Sequence, residues 1–184
     1  ASARIPGTDR IIIKPRPHVS MDRVIADMLM TLDLEGNIID APEGAIIPAE
    51  WSLHTEIYKA RPDVGGVVHT HQKWCTVFGI AGVTILPVQH PGHALSVIPP
   101  YPLYEESYAI VTDVAQARVV AETMGDAVGC HLRTHGMVFS GADVHAAAST
   151  AINAERQAEM NWLAMQVGER ETIPTLFMRA GLDR

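Results

Sequence analysis

Residues 64–72, Val-Gly-Gly-Val-Val-His-Thr-His-Gln, end a short apolar run with two histidines that stand two residues apart. Val67 and Val68 favour an extended backbone. Side chains at positions i and i+2 of a strand leave the same face, so the pattern predicts a buried strand that presents the imidazoles of His69 and His71 side by side. Neutral imidazole is the commonest metal ligand in proteins. The stretch therefore suggests part of a metal site at a strand end.

Two histidines alone do not define a metal site. A zinc site normally has three or four protein ligands, and a pair of histidines at a strand end can instead hydrogen-bond to the backbone. A third candidate, His135, lies between two strand-like runs and directly before Gly136. We expect this glycine to let the chain bend sharply, so that the imidazole points inward.

Composition limits the class of protein. A chain of 184 residues with 47% hydrophobic and 19% charged residues is long enough for one domain with a sizeable core, and we predict a single domain over residues 1–184. The net charge of -7 and the pI near 5.7 argue against a nucleic-acid surface. The first residues lead into a turn and strand with no earlier element to pair with, so we expect a longer gene product.

The cysteines and the apolar runs indicate a reducing, aqueous compartment. Cys75 and Cys130 form no CxxC motif, and two cysteines make no disulfide framework in a domain of this size. We predict two free thiols and a cytoplasmic protein. No apolar run approaches the ~20 residues that cross a bilayer, and the first residues lack a signal-peptide pattern, so we expect no membrane partner.

The rest of the chain alternates between strands and helices. Residues 28–39 predict a hairpin with a turn at Gly36-Asn37, and Pro48 to Ala60 predict a helix with Glu50 in its first turn, where the helix dipole favours a carboxylate. The remaining predictions are strands at 11–13, 83–88, 127–132 and 137–139 and helices at 74–81, 115–124 and 143–167. The last helix is expected to begin at an Asp143 cap and to bury Ala147, Ile152, Met160 and Leu163.

Two polar segments are candidates for substrate contacts. Lys14, Arg16 and His18 are interleaved with prolines in a loop, which fixes the backbone and leaves the side chains free to point at a ligand or simply at solvent. His90 and His93 stand in the turn-rich segment Gln-His-Pro-Gly-His, where they either support a site or are merely exposed.

The order of these motifs resembles the class II aldolase/adducin family. The resemblance rests on Pro-Ala-Glu50-Trp-Ser-Leu-His, Ala-Arg-Pro-Asp63, Val-Val-His69-Thr-His71 and Thr-His135-Gly136, and it covers nearly the whole chain. It implies an α/β fold with a central, mostly antiparallel β-sheet flanked by helices. It also implies that His69, His71 and His135 bind one divalent metal per subunit, usually zinc, and that Glu50 acts as acid/base and can be a fourth ligand.

The same resemblance implies a metal-dependent lyase that works as a homo-oligomer, a tetramer in this family. Manganese, cobalt and iron remain open beside zinc, because three histidines and a carboxylate accommodate each of them. The adducin branch of the family has the fold without the ligand set, so a non-catalytic assembly module is the alternative from another class.

Two departures from the sugar-phosphate aldolases bear on the substrate. The family's Thr-Gly phosphate loop is replaced by Arg16-Pro17, and proline has no N–H to donate. Arg16 and Lys14 suit a carboxylate as well as a phosphate. The family's assisting tyrosine corresponds roughly to Pro91, so a proton donor there would be His90 or His93. The chain looks more similar to decarboxylases of hydroxylated aromatic or pyridine carboxylic acids, with an aldolase as the alternative.

Overall fold

The structure is a computed structural model that describes residues 1–16 and 20–179. The strands are β1 (Ser2–Arg4), β2 (Arg10–Ile13), β3 (Met30–Asp33), β4 (Ile38–Asp40), β5 (Gly66–Thr70), β6 (Leu103–Tyr104), β7 (Gly129–Leu132) and β8 (Gly136–Gly141). The α-helices are α1 (Trp51–Ala60), α2 (Lys73–Ala81), α3 (Pro91–Ala94), α4 (Val114–Met124), α5 (Val144–Val167) and α6 (Thr175–Arg179). None of the helices described is long and apolar enough to cross a membrane.

The strands form one eight-stranded sheet in the order β4-β3-β2-β1-β5-β8-β7-β6. Strands β6 and β7 pair in parallel. The pairs β1–β2, β1–β5, β2–β3, β3–β4 and β7–β8 are antiparallel. The predicted α/β class with a mostly antiparallel sheet is therefore confirmed, and the predicted hairpin over residues 28–39 is present as β3 and β4.

The chain divides into two compact units. The first comprises residues 1–68, 110–122 and 140–147, and the second comprises residues 69–109, 123–139 and the described part of 148–184. In the first unit the sheet side chains alternate as a half-buried surface requires: Ile11 pairs with Leu32, and Ile13 pairs with Met30. All four of these side chains are buried, so this face of the β2–β3 pair contributes to the core of the unit.

The second unit has a core built between strands and the long helix α5. Its buried cluster comprises Cys75, Phe78, Ile85, Val97, Tyr101, Met137, Phe139, Ala151, Ala154 and Ala158. Both cysteines are free, as predicted, and both are buried. Asp143 caps α5, because its Oδ1 accepts a 2.7 Å hydrogen bond from the N–H of Ala146.

Two details of the predicted elements are wrong. Residues 83–88 form no strand, because the backbone N–H groups of Leu86 and Val88 bond to side chains of α5 instead of a neighbouring strand. On α5 itself, Ile152 and Leu163 are exposed and the buried positions carry alanine and amide side chains. Pro17 and His18 lie outside the described residues.

Candidate metal centre

Three histidine rings meet at the end of β5. His69 is the next-to-last residue of that strand, His71 follows it, and His135 lies in the turn between β7 and β8. The ring centroids are 4.8 Å apart for His69 and His71, 4.9 Å for His69 and His135, and 4.6 Å for His71 and His135. We call this set the histidine triad. The i, i+2 spacing thus places two rings side by side, as the opening stretch predicts.

The backbone fixes the orientation of His69. Its Nδ1 lies 2.9 Å from the carbonyl oxygen of Met137 on β8. Because a carbonyl only accepts, Nδ1 carries the hydrogen, and Nε2 keeps its lone pair in the neutral ring. Metal-binding histidines are commonly oriented in this way, by a hydrogen bond from the ring nitrogen that does not bind the metal. The Nε2 atoms of His69 and His71 are 3.0 Å apart, so the two rings converge on one point.

The local backbone around His135 differs from the predicted bend. The left-handed conformation falls on Thr134, at φ 62°, rather than on Gly136. Gly136 is required by close approach instead, because a Cβ atom there would lie 2.3 Å from the carbonyl oxygen of Thr70 and 3.0 Å from Cδ2 of His71. Glycine therefore lets β8 run directly against the strand end that carries the other two histidines.

Glu50 directly precedes helix α1 and does not lie in its first turn as predicted. Its side chain makes no capping hydrogen bond to the helix. A weak contact of 3.4 Å joins Oε1 to the backbone N–H of Val111. Side-chain capping of the helix therefore does not explain this carboxylate. Glu50, His69, His71 and His135 form a group in which one ligand atom from each lies within 4.8 Å of all the others.

The four residues fit a divalent metal. Zinc takes imidazole nitrogens at about 2.0–2.1 Å in tetrahedral geometry, which places neighbouring ligand atoms about 3.3 Å apart. The 3.0 Å separation of the two Nε2 atoms is close to that value. A set of three imidazoles and one carboxylate is also a typical combination for zinc and for other first-row metals. The donor chemistry does not choose among them.

Helix α5 supports the strand end through residues that the sequence analysis missed. The carboxylate of Glu155 accepts hydrogen bonds of 2.9 Å from the backbone N–H groups of both Trp74 and Cys75, at the start of α2. The Gln72 amide donates to the carbonyl of Ala151 over 2.9 Å. The residues that directly follow His71 are thereby tied to α5. A glutamate in a long alanine-rich helix gives no sequence signal of this role.

His90 and His93 form a second imidazole pair, at the start of α3. Their ring centroids are 4.6 Å apart. Partial removal from water, then the nearby His90 and Arg156, lower the pKa of His93. Neither residue belongs to the group of metal-type ligands found among residues 1–16 and 20–179. Their predicted role as proton relay stays a prediction.

Lys14 and Arg16 line a cavity of about 200 Å³ in the first compact unit. Asp27 and Glu43 line the same cavity, and the Arg16 Nε donates to the carbonyl of Ile47 over 3.3 Å. The two acidic side chains oppose the attraction of an anion into this space. The predicted binding of a substrate carboxylate by Lys14 and Arg16 remains a prediction.

Comparisons with known proteins show what the sequence and the fold are similar to. The fold is similar to that of an L-fuculose 1-phosphate aldolase, with a TM-score of 0.82 and 20% identity over 99% of this chain and 82% of that one. An aldolase II superfamily protein from Pseudomonas syringae gives a TM-score of 0.81 and 25% identity over 100% of this chain and 74% of that one.

A third similar structure is that of YgbL from Escherichia coli, which is described as an aldolase, epimerase or decarboxylase without a choice among the three. Its TM-score is 0.77, with 20% identity over 97% of this chain and 84% of that one. Residues 1–162 match the family model of the class II aldolase and adducin N-terminal domain. Because this match covers most of the sequence and the fold agrees with it, the chain belongs to the class II aldolase and adducin N-terminal domain family.

Proposed function

We propose that the protein is a metal-dependent carbon–carbon lyase, with a decarboxylase of hydroxylated aromatic or heteroaromatic carboxylic acids as its specific activity. The observation that carries the proposal is the convergence of Glu50, His69, His71 and His135 within 4.8 Å. Family membership and the similar structures support a lyase. The choice of decarboxylase rests on Arg16-Pro17 and on the segment around His90 and His93.

The reaction requires stabilisation of the electron pair that a breaking C–C bond leaves on carbon. A bound divalent metal, zinc by preference, supplies a Lewis acid for that charge, a contribution worth several kcal/mol. His69, His71 and His135 would hold it. The Met137 carbonyl keeps the Nδ1 hydrogen of His69 in place, so the lone pair on Nε2 is oriented before binding. The orientation of the His69 ring is thus set before a metal binds.

Glu50 is proposed as the acid that protonates the carbon after the bond breaks. It ends a loop at the start of α1 and spends no hydrogen bond on capping that helix. A positioned acid of this kind contributes typically 10²–10⁴-fold in rate. His90 or His93 is the proposed relay that returns the proton, and Lys14 and Arg16 are proposed to bind the substrate carboxylate.

The second candidate is an aldolase that cleaves a small hydroxy-carbonyl or sugar-phosphate substrate. The structural similarity to an L-fuculose 1-phosphate aldolase favours it. Aldol cleavage leaves the same kind of electron pair as decarboxylation, so one metal centre can serve either reaction. A non-catalytic, adducin-like assembly module is the alternative outside enzymology, and we expect it to bind well under one equivalent of metal.

Product analysis of the purified, zinc-loaded protein tests the proposal. We expect CO₂ release from a hydroxyphthalate or pyridine dicarboxylate substrate and no aldehyde release from ketose phosphates. Aldehyde without CO₂ contradicts the decarboxylase proposal and supports the aldolase. If the protein retains no stoichiometric metal after zinc loading and releases neither product, the proposal of a lyase of either kind is contradicted. We further propose that the protein is cytoplasmic and forms a homotetramer. Sedimentation equilibrium tests the oligomeric state.

A further inference from the structure

The residue that follows His71 connects the end of β5 to helix α5. The Oε1 atom of Gln72 accepts a hydrogen bond of 3.1 Å from the hydroxyl of Thr70. Its Nε2 donates to the carbonyl of Ala151 on α5 over 2.9 Å. All of these residues belong to the second compact unit. One amide side chain therefore fixes the backbone on both sides of His71 to the same helix.

Glu155 makes a second connection, to the start of α2. The N-cap of that helix is Gln72, which makes no side-chain capping hydrogen bond. The first N–H groups of a helix need acceptors outside the helix. The two carboxylate oxygens of Glu155 accept from the N–H groups of Trp74 and Cys75, each over 2.9 Å. These hydrogen bonds are charge-assisted, and the helix dipole favours a carboxylate at this end.

A cap that comes from α5 does more than a local cap does. Serine, threonine, asparagine or aspartate at position 72 would satisfy the same N–H groups from within the segment. Helix α2 would then be capped without being fixed to α5. The chain instead has a glutamine at position 72 that reaches α5 and a glutamate on α5 that caps α2. Both side chains hold the segment after His71 against one helix.

Helix α5 also supports the residue that orients His69. Met137, whose carbonyl holds the His69 ring, is fully buried in one core cluster with Cys75, Ala151 and Ala154. Protein interiors are close-packed and transmit displacements between neighbours. Two of the three triad members therefore depend on α5, one through the packing of the core and the other through hydrogen bonds.

We propose that Glu155, acting with Gln72, is a positioning residue of the metal centre, which holds the His71 imidazole where it binds the divalent cation. This role rests on the proposed metal-dependent function. A ring at a strand end moves with its backbone, and metal sites tolerate departures of only about 0.2 Å from their ligand distances. Outer partners of metal ligands typically contribute about 10–100-fold in metal affinity, and we expect an effect of this size.

Zinc affinity of the metal-free protein, measured by competition with a chromophoric chelator, tests the role. Glu155→Gln keeps the size of the side chain and one carbonyl oxygen, but it removes the charge and one of the two acceptors. Its Kd for zinc should rise by about 10–100-fold. Glu159→Gln makes the same change one turn further along α5, at a similarly half-buried position. It should bind zinc as the unaltered protein does.

The visible spectrum of the cobalt(II)-loaded protein gives a readout that a purely stabilising role does not move, because the absorption reports the ligand geometry. At saturating cobalt the spectrum of Glu155→Gln should differ from that of the unaltered protein, and the spectrum of Glu159→Gln should not. Gln72→Met keeps the side-chain length and loses the bond to Ala151. It should change the spectrum and raise the Kd for zinc by about tenfold, and it decides the question if Glu155→Gln does not fold.

The outcomes separate this role from the metal centre itself. If Glu155→Gln is less stable to urea but has an unchanged Kd for zinc or an unchanged cobalt spectrum, Glu155 only caps α2 and the proposal is overturned, while the metal centre stands. The same results in Gln72→Met overturn it in the same way. If the unaltered protein binds no zinc, both the metal centre and this role are wrong.

Discussion

The histidine triad and the His90–His93 pair have similar ring separations and very different support. Centroids are 4.6–4.9 Å apart in the triad and 4.6 Å apart in the pair. In the triad, His69 is held by a main-chain carbonyl on an adjacent strand. The pair lies at a four-residue helix, with His90 at φ 43°. Spacing alone therefore does not distinguish a metal centre from two neighbouring rings.

Support for the pair comes indirectly, through buried amides of α5. Gln157 is fully buried, and its Oε1 accepts from the N–H groups of Val88 and Gln89 at 3.0 and 3.1 Å. Its Nε2 donates to the Gln89 carbonyl. These bonds position the backbone before His90 but hold neither imidazole. We therefore expect the triad to fix its ring nitrogens and the pair to remain adjustable.

Removing one triad member should have the largest effect. His71 is exposed, so His71→Ala should leave the fold intact. We expect metal content to fall from about one equivalent to below 0.1, and turnover to fall by at least about 10³-fold, since the metal contributes several kcal/mol. Elemental analysis and a turnover assay measure both. His145→Ala removes an exposed histidine of α5 as the control, and unchanged metal in His71→Ala would contradict the assignment.

Glu50→Gln separates metal binding from proton transfer. The amide keeps one oxygen near the triad but cannot donate a carboxylic proton, so turnover should fall by about 10²–10⁴-fold while metal content stays above half an equivalent. Glu122→Gln, at an exposed position on α4, is the control. Full turnover in Glu50→Gln with metal bound would show that another group is the acid.

The parts of this fold that the sequence predicted follow from local patterns. The run before His69 favours a strand, and period-2 geometry then brings His69 and His71 together. His135 was placed by family resemblance, because the sixty-odd residues between it and His71 carry no local signal of proximity. The hairpin of β3 and β4 was predictable from its Gly-Asn turn.

The missed features depend on contacts between distant segments. Residues 83–88 are apolar enough for a strand, yet Gln157 and Asn161 take the hydrogen bonds that a neighbouring strand would have supplied. Conversely, the buried face of α5 carries Gln157 and Asn161, whereas Ile152 and Leu163 are exposed. Hydrophobic periodicity cannot identify buried amides, because their burial is compensated by backbone partners elsewhere in the chain.

His131 is a further buried histidine, and burial lowers the pKa of its imidazole. This shift should appear as a pH dependence of stability. The folded pKa is about 4 against an ordinary 6.5. Below pH 6.5 the unfolded chain takes up a proton that the folded one refuses, so stability is full above that pH and lost as pH falls toward 4, by about 3 kcal/mol. Urea unfolding at pH 7.5 and 4 measures this loss.

His131→Gln should remove that contribution, so its free energy of unfolding should fall less between the two pH values than that of the unaltered protein. His145→Gln, at an exposed position, is the matched control and should follow the unaltered protein. Equal losses in all three proteins would contradict the assignment of this pH dependence to His131.

Gln157→Met tests the indirect support of the His90–His93 pair. Methionine has a similar volume but leaves the buried N–H groups of Val88 and Gln89 without their acceptor, at a cost of about 2 kcal/mol in unfolding free energy. Urea unfolding measures the cost, and faster hydrogen exchange at these two amides locates it. Gln166→Met, at an exposed position of α5, should change neither quantity. A loss of metal in Gln157→Met would show that α5 supports the triad through Gln157.

His93→Gln should have the smallest effect, and it decides how separate the two imidazole sets are. Its lowered pKa leaves the ring mostly neutral at pH 7, so as a relay it passes a proton rather than supplying a charge. We expect metal content to be unchanged and turnover to fall by no more than about tenfold, less than 1.4 kcal/mol. His90→Gln, which changes the other ring of the same pair, should behave alike. A drop in metal content as large as that of His71→Ala would instead make the pair part of the metal centre, and the contrast in backbone support would lose its meaning.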